Sequence, residues 1–211
     1  MGEATLRVVE TIEIPGVRKG MGPSRGAEAW TLETLTGRFV EISAGAAGSP
    51  LTLAFRLVLE AQRKGDPVAW ITRRDATFYP PDVAAAGIDL DVVPVVRVPG
   101  TPEAAGAADL LLRSGAFALV VLDLGPRARL SIPAQTRLVG LAKQHETALL
   151  CLTEKGDEQA SLGSLVSLRA LAAPRRRDGE RFRCAVRVIK DKRRGPGWTH
   201  AEVVHGPDGL C

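Results

Sequence analysis

The chain has 211 residues, 45% hydrophobic and 25% charged, enough to bury one sizeable core within one domain. No apolar run approaches the roughly 20 residues of a membrane-spanning helix, and the mixed, charged stretch at 1–10 is not a signal peptide. Aromatic residues make up only 4%, too few for a base-stacking platform. Cys151, Cys184 and Cys211 are far apart and lack zinc spacing, which argues for a reducing, cytoplasmic setting.

Residues 16–26 hold Gly16, Gly20, Gly22, Pro23 and Gly26, so 1–29 reads as a flexible lead-in to a core at 30–211. Residues 38–43 alternate as a strand does. A loop of small residues, 44–49, follows. Pro50 then suits the first turn of a helix at 51–64, whose apolar residues recur at 51, 54, 55, 58 and 59. The same rhythm predicts strands at 67–72, 92–98, 117–122 and 147–152. Helices are expected at 81–87, at 102–114 (entered through Thr101, with Pro102 first) and at 134–145. Continuous apolar strands alternating with helices imply an α/β fold, a parallel sheet covered on both faces.

The last third changes character. Strands at 165–172, 182–189 and 199–204 follow one another without helices. Within 181–189, Phe182, Cys184, Val186 and Val188 share one face, and Arg181, Arg183 and Arg187 the other. That predicts an antiparallel strand with one basic, half-exposed side. Cys151 and Cys184 read as buried strand residues.

Charge is unevenly placed. Residues 175–194 carry ten basic residues (Arg175, Arg176, Arg177, Arg181, Arg183, Arg187, Lys190, Lys192, Arg193, Arg194) and three acidic ones, a net +7. With +4 for the whole chain, the remainder is −3. Such a block reads as an electrostatic footprint for DNA or an acidic protein, or as a charged edge that blocks aggregation. The strand is expected to join Arg175–Arg177, in a hairpin connection, and Lys192–Arg194, in a turn, into one patch. Trp198 reads as a partly buried turn aromatic. His145, His200 and His205 form no triad or metal pattern.

A strand, a glycine-bearing loop and a helix form the setting of a phosphate-binding P-loop. Here the loop is Ala44-Gly45-Ala46-Ala47-Gly48-Ser49, and Ser49-Pro50 stands where lysine and a hydroxyl residue belong. The lysine would reach the β- and γ-phosphates and the hydroxyl would hold Mg²⁺. Pro50 also removes a backbone N–H.

Four passages carry a more specific likeness. Gly37-Arg-Phe-Val-Glu-Ile42 is similar to the strand leading into the P-loop of bacterial RecA recombinases. Leu112-Arg-Ser-Gly-Ala-Phe-Ala-Leu-Val-Val-Leu-Asp123 resembles RecA's passage into the Walker-B strand. Leu141-Ala-Lys-Gln-His-Glu-Thr-Ala-Leu-Leu150 resembles the next helix and strand. Arg183-Cys-Ala-Val-Arg-Val-Ile-Lys-Asp-Lys192 resembles the late strand that carries two interface lysines. The likeness runs in order over about 30–210. It implies a RecA-like P-loop NTPase core, mostly parallel, with antiparallel strands at its C-terminal edge.

By that resemblance, Gly45, Gly48, Ser49, Asp123, Lys190 and Lys192 occupy nucleotide-handling positions, now degenerate. Asp123 matches a Mg²⁺-holding aspartate and reads equally well as a polar strand end. The catalytic glutamate corresponds to Arg74, beside Asp75, and the γ-phosphate sensor to Glu154. RecA's two mobile DNA-binding loops match the short stretches 125–131, basic through Arg127 and Arg129, and 154–163, acidic through Glu154, Asp157 and Glu158. The resemblance shows no counterpart of RecA's N-terminal polymerisation helix and no C-terminal domain.

These departures resemble the ImuA family, RecA-like proteins of the bacterial SOS mutagenesis cassette. The family implies a non-enzymatic, cytoplasmic accessory protein without a cofactor, associated with the nucleoid when engaged. Its expected partners are RecA and translesion polymerase subunits, namely an inactive Y-family homologue and an error-prone C-family polymerase. It would act in damage-induced mutagenesis and restrain recombination. The basic block (Arg175, Arg176, Arg177, Arg181, Arg183, Arg187, Arg193, Arg194) would meet DNA or a partner. A DNA-dependent ATPase with an atypical loop, completed by Lys190 and Lys192 of a neighbour, and a stand-alone DNA-binding protein are the alternatives.

Overall fold

Strands that are apolar on both sides need cover on both sides, and the chain supplies it with helices. A computed structural model describes residues 30–44, 50–76, 83–84, 87–126, 128–173, 176–178 and 181–205, with 176–178, 181, 204 and 205 as backbone alone. The elements run α1 (Leu32–Leu35), β1 (Phe39–Ser43), α2 (Pro50–Arg63), β2 (Val68–Arg73), β3 (Val95–Val98), α3 (Thr101–Ser114) and β4 (Leu119–Gly125). Then come α4 (Ile132–Gln144), β5 (Ala148–Thr153), β6 (Leu168–Ala172), β7 (Arg176–Asp178), β8 (Arg181–Asp191) and β9 (Thr199–His205). The lead-in 1–29 and most of the helix expected at 81–87 lie outside the described residues.

All but one of these strands' neighbours follow a single path, β3-β2-β4-β5-β1-β6-β8-β7, and β9 pairs with β8 to complete a nine-stranded sheet. From β3 to β6 the pairing is parallel; β6, β7 and β9 each pair with β8 antiparallel. The mixed architecture expected from the sequence is therefore present. Leu35, Val40, Ile42, Leu53, Leu57, Trp70, Val121 and Leu150 pack on the α1–α2 side. Phe39, Ile71, Leu112, Val120, Leu122, Leu138, Leu149 and Cys151 pack on the α3–α4 side. Cys184 is buried too, as expected.

Several boundaries moved for local reasons. The strand expected from 92 starts at Val95, because Asp89 caps a 3-10 turn at Leu90–Val92. Thr101 lies inside α3 and Gly100 is its N-cap, without a side-chain cap bond. Ser131 caps α4 through the Ala134 N–H, so that helix starts two residues early. The stretch read as a hairpin connection holds a short strand, β7, with Arg176 and Arg177 in its arm. In β1 the expected alternation is not one of exposure, since all five residues are buried.

Polar residues on this central strand therefore need partners inside. Just before β1, Arg38 Nη2 donates to Asp191 Oδ1 at 2.6 Å, with both side chains almost fully excluded from solvent. The same guanidinium reaches the Ser167 carbonyl at 3.2 Å. Asp191 also accepts from the backbone N–H of Arg193 at 2.8 Å and from Trp198 Nε1 at 3.2 Å. Burial pushes the Asp191 carboxyl up, but the Arg38 hydrogen bond, the Arg193 N–H and the Arg38 charge together hold it below the usual carboxylate range. Burial in turn lowers Arg38.

Removing one partner strands a buried charge, so Arg38→Met should cost about 3–5 kcal/mol at pH 7. A depressed carboxylate stabilises the fold above its unfolded pKa of about 3.9 and loses that contribution as pH falls through its lower folded value. Urea melts should show the gap between wild type and Arg38→Met narrowing below about pH 4. A gap independent of pH would assign the cost to lost packing instead.

Candidate functional site

In an open α/β sheet ligands bind beyond the carboxyl ends of the strands, so that rim comes first. β1 ends at Ser43 and α2 opens at Pro50; the connecting residues, Gly45, Gly48 and Ser49 among them, lie outside the described residues. On β4, Asp123 faces Thr72 of β2, and the Thr72 hydroxyl donates to its carboxylate at 3.0 Å. Arg73 lies against Gly125, where a Cβ would stand 2.9 Å from the guanidinium carbon and φ is +68°. Only glycine suits both conditions. The Arg73 Nε lies 3.2 Å from the Asp75 carboxylate.

Burial raises the Asp123 pKa above the usual carboxylate value, against the Thr72 hydrogen bond and the Arg73 charge, which lower it. The Asp123 carboxylate already accepts from Thr72, and a guanidinium supplies the neighbouring positive charge. No group of three His, Cys, Asp or Glu among the described residues is placed to share a metal. Arg74 and Glu154, at the base and sensor positions, are both exposed.

Lys190 and Lys192 converge on one acceptor, donating to the Ser164 carbonyl at 3.2 and 3.0 Å. Burial, then the charge of Lys192, lowers the Lys190 pKa. A bulge in the β6–β8 ladder sets Lys190 opposite Arg169 and Arg187 opposite Leu171. Arg187 reaches Asp157 at 2.5 Å. The basic side of β8 is thus engaged by the 154–166 segment.

That segment, expected to correspond to a mobile loop, is tied down from beneath. Glu41, fully buried in β1, accepts from the Ser161 hydroxyl at 2.7 Å, the Leu162 N–H at 2.9 Å and the Thr153 hydroxyl at 2.9 Å. Arg169, its register partner on β6, lies 3.7 Å away and donates to the Gln159 and Gly156 carbonyls at 2.8 and 3.0 Å. From α4, the buried Gln135 accepts from the Leu165 N–H at 3.3 Å and donates to the Leu130 carbonyl at 2.8 Å. A Cβ at Gly163 would fall 1.9 Å from the Gln135 oxygen, so the segment passes too close for any side chain there.

The arginines do not converge on one patch. β8 is eleven residues long, about 33 Å at strand rise, and separates them. Arg193 and Arg194 are exposed on the turn after β8. Arg181 and the half-buried Arg183 stand at its opposite end, where Arg176 is the Cα partner of Arg183. Arg175 and Arg127 lie outside the described residues. Trp198 is buried, which removes it as an exposed anchor. Sequence reasoning missed Glu41, Arg169 and Gln135. The available signal was an acid and an arginine interrupting two otherwise apolar strands.

No protein-family model matches the chain. It is similar to the protein RecA of Nocardioides sp., 35% identical over 126 residues, covering 54% of this chain and 35% of that protein. RecA of Deinococcus radiodurans is 34% identical over 128 residues, covering 56% and 35%. RecA of Fusobacterium nucleatum is 28% identical over 137 residues, covering 56% and 36%. The matched part spans about a third of the length of these relatives. The partial matches support a RecA-like relationship, with which the mixed α/β sheet is consistent.

Two predictions follow from this geometry. A carboxyl whose folded pKa is raised destabilises the fold above that value and costs nothing below its unfolded value. Asp123→Asn should therefore stabilise the chain at pH 7, by up to about 1 kcal/mol, and be neutral near pH 3.5; destabilisation at pH 7 would show that the charge is held by a favourable partner. Glu41→Ala leaves the Thr153 hydroxyl and the Leu162 N–H without their acceptor and the buried Arg169 without its counter-charge, and should cost about 3 kcal/mol. Amide exchange at Leu162 should accelerate more than in β4.

Proposed function

We propose that this chain is a non-catalytic RecA-like accessory protein of the ImuA kind, serving damage-induced mutagenesis and DNA repair by binding rather than hydrolysis. The observation that carries this reading is the Glu41–Arg169 anchoring of 154–165. A segment that must move with nucleotide and DNA gains nothing from a buried carboxylate holding it. The Ser49-Pro50 pair in the loop, exposed Arg74 and Glu154, and an Asp123 with an arginine for a neighbour point the same way.

In this reading the partners are RecA and the translesion polymerase components, and engagement lowers RecA-driven recombination. Contact with DNA is the second reading, favoured by the exposed Arg193 and Arg194 on the turn after β8. Its electrostatic part would weaken steeply with salt.

Capture with the tagged chain from DNA-damaged bacterial cells tests the proposal. RecA or a translesion polymerase subunit should be retained, at wild-type level by Asp123→Asn. Retention of neither would reject the accessory role. A DNA titration separates the second reading: replacing Arg175, Arg176 and Arg177 with alanine should weaken binding and flatten its salt dependence by about one unit per lost contact.

A further inference from the structure

The α3–α4 surface, on the side of the sheet away from α2, holds a groove, a shallow and open depression, that none of these roles uses. It measures about 490 Å³ and no acidic residue lines it. Arg113 of α3 and Arg137 of α4 line it, together with Thr136, Gly140, Leu141, Gln144 and His145. Both guanidiniums are oriented from behind by one carboxylate, Asp109, which accepts from Arg113 and from Arg137. Asp109 is 15% exposed, whereas Arg113 and Arg137 are 53% and 59% exposed. One carboxylate shared by two guanidiniums leaves a net positive charge on this surface.

The helix surfaces here are cut back without internal need. Gly106 in α3 and Gly140 in α4 occupy exposed interior helix positions, and nothing lies within 4 Å of where a Cβ would stand at either. Glycine is the poorest helix former after proline, so these positions forgo stability for clearance. Leu110, one turn before Arg113, is 66% exposed.

We propose that this groove docks a short acidic segment of a partner protein, with carboxylates on Arg113 and Arg137 and apolar side chains against Leu141. Two oriented guanidiniums form the bidentate fork that suits carboxylates. They are an isolated pair rather than a stripe, and the basic excess needed to track a nucleic-acid backbone lies elsewhere in the chain. The site deepens the proposed function by giving the accessory protein a face for its partner, and it needs no contact with DNA.

The test uses a fluorescent, end-capped nonapeptide of alternating Glu and Leu, with its Lys–Leu counterpart and a single-stranded oligonucleotide as competitors. The acidic peptide should bind, and Arg137→Glu should weaken it at least tenfold while creating affinity for the Lys–Leu peptide. Gly140→Leu, which fills the groove and leaves its charges, should also weaken binding tenfold without lowering Tm. Arg63→Glu, on the opposite helix layer, should change nothing. No acidic-peptide binding at millimolar concentration, equal competition by the oligonucleotide, or indifference to Gly140→Leu would each overturn the proposal. Failure here beside a successful capture of RecA or polymerase subunits would reject the groove alone.

Discussion

A charged residue inside a sheet must find its partners there, and β1 carries two such obligations three residues apart. Arg38 is met by Asp191 after the chain has run through β8, and Glu41 by Arg169 of β6 and by the segment before it. The first pair joins the central parallel strand to the antiparallel β8, and the second joins it to β6, the parallel strand on which β8 is built. They fix how the two halves of the sheet meet, and unpaired burial at either place would be costly. The 154–165 segment is held as a consequence, because Glu41 accepts from Ser161 and the Leu162 N–H while Arg169 donates to the Gln159 and Gly156 carbonyls.

The same economy governs the positive charge. Read along the sequence, 175–194 is a single basic block; in the fold its members have separate employments. Arg187 meets Asp157, Lys190 and Lys192 meet Ser164, and Arg193 and Arg194 stand on a turn set by Asp191. Among the exposed arginines are Arg193 and Arg194 on that turn and, on another face, Arg113 and Arg137, which share Asp109. This distribution suits a protein that makes several distinct contacts better than one built around a single polyanion track.

Much of the architecture was legible because it rests on local pattern. Apolar runs between helical segments announced the covered parallel strands, and the period-two stretch at 182–188 announced the antiparallel one. Caps moved the boundaries, as Ser131 and Asp89 show, since a single hydrogen bond decides whether a helix or turn starts early. The anchoring cluster was not legible. Glu41 and Arg169 are 128 positions apart and become partners only through the β1–β6 register. Glu41 looked like the polar half of an alternating strand, and only its position between β5 and β6 made it buried. The Asp123 and Lys190 positions were found through family likeness, while Arg73 beside Gly125 and the shared Ser164 acceptor depend on side-chain geometry.

In the proposed reading this scaffold keeps a RecA-like sheet and serves binding rather than nucleotide chemistry. Equilibrium titration of the intact chain with ATP in the presence and absence of Mg²⁺ tests it most directly. The account predicts no saturable binding below millimolar ATP and no effect of Mg²⁺. Micromolar binding that requires Mg²⁺ would contradict it, and would mean that the loop following β1 handles phosphate without its lysine.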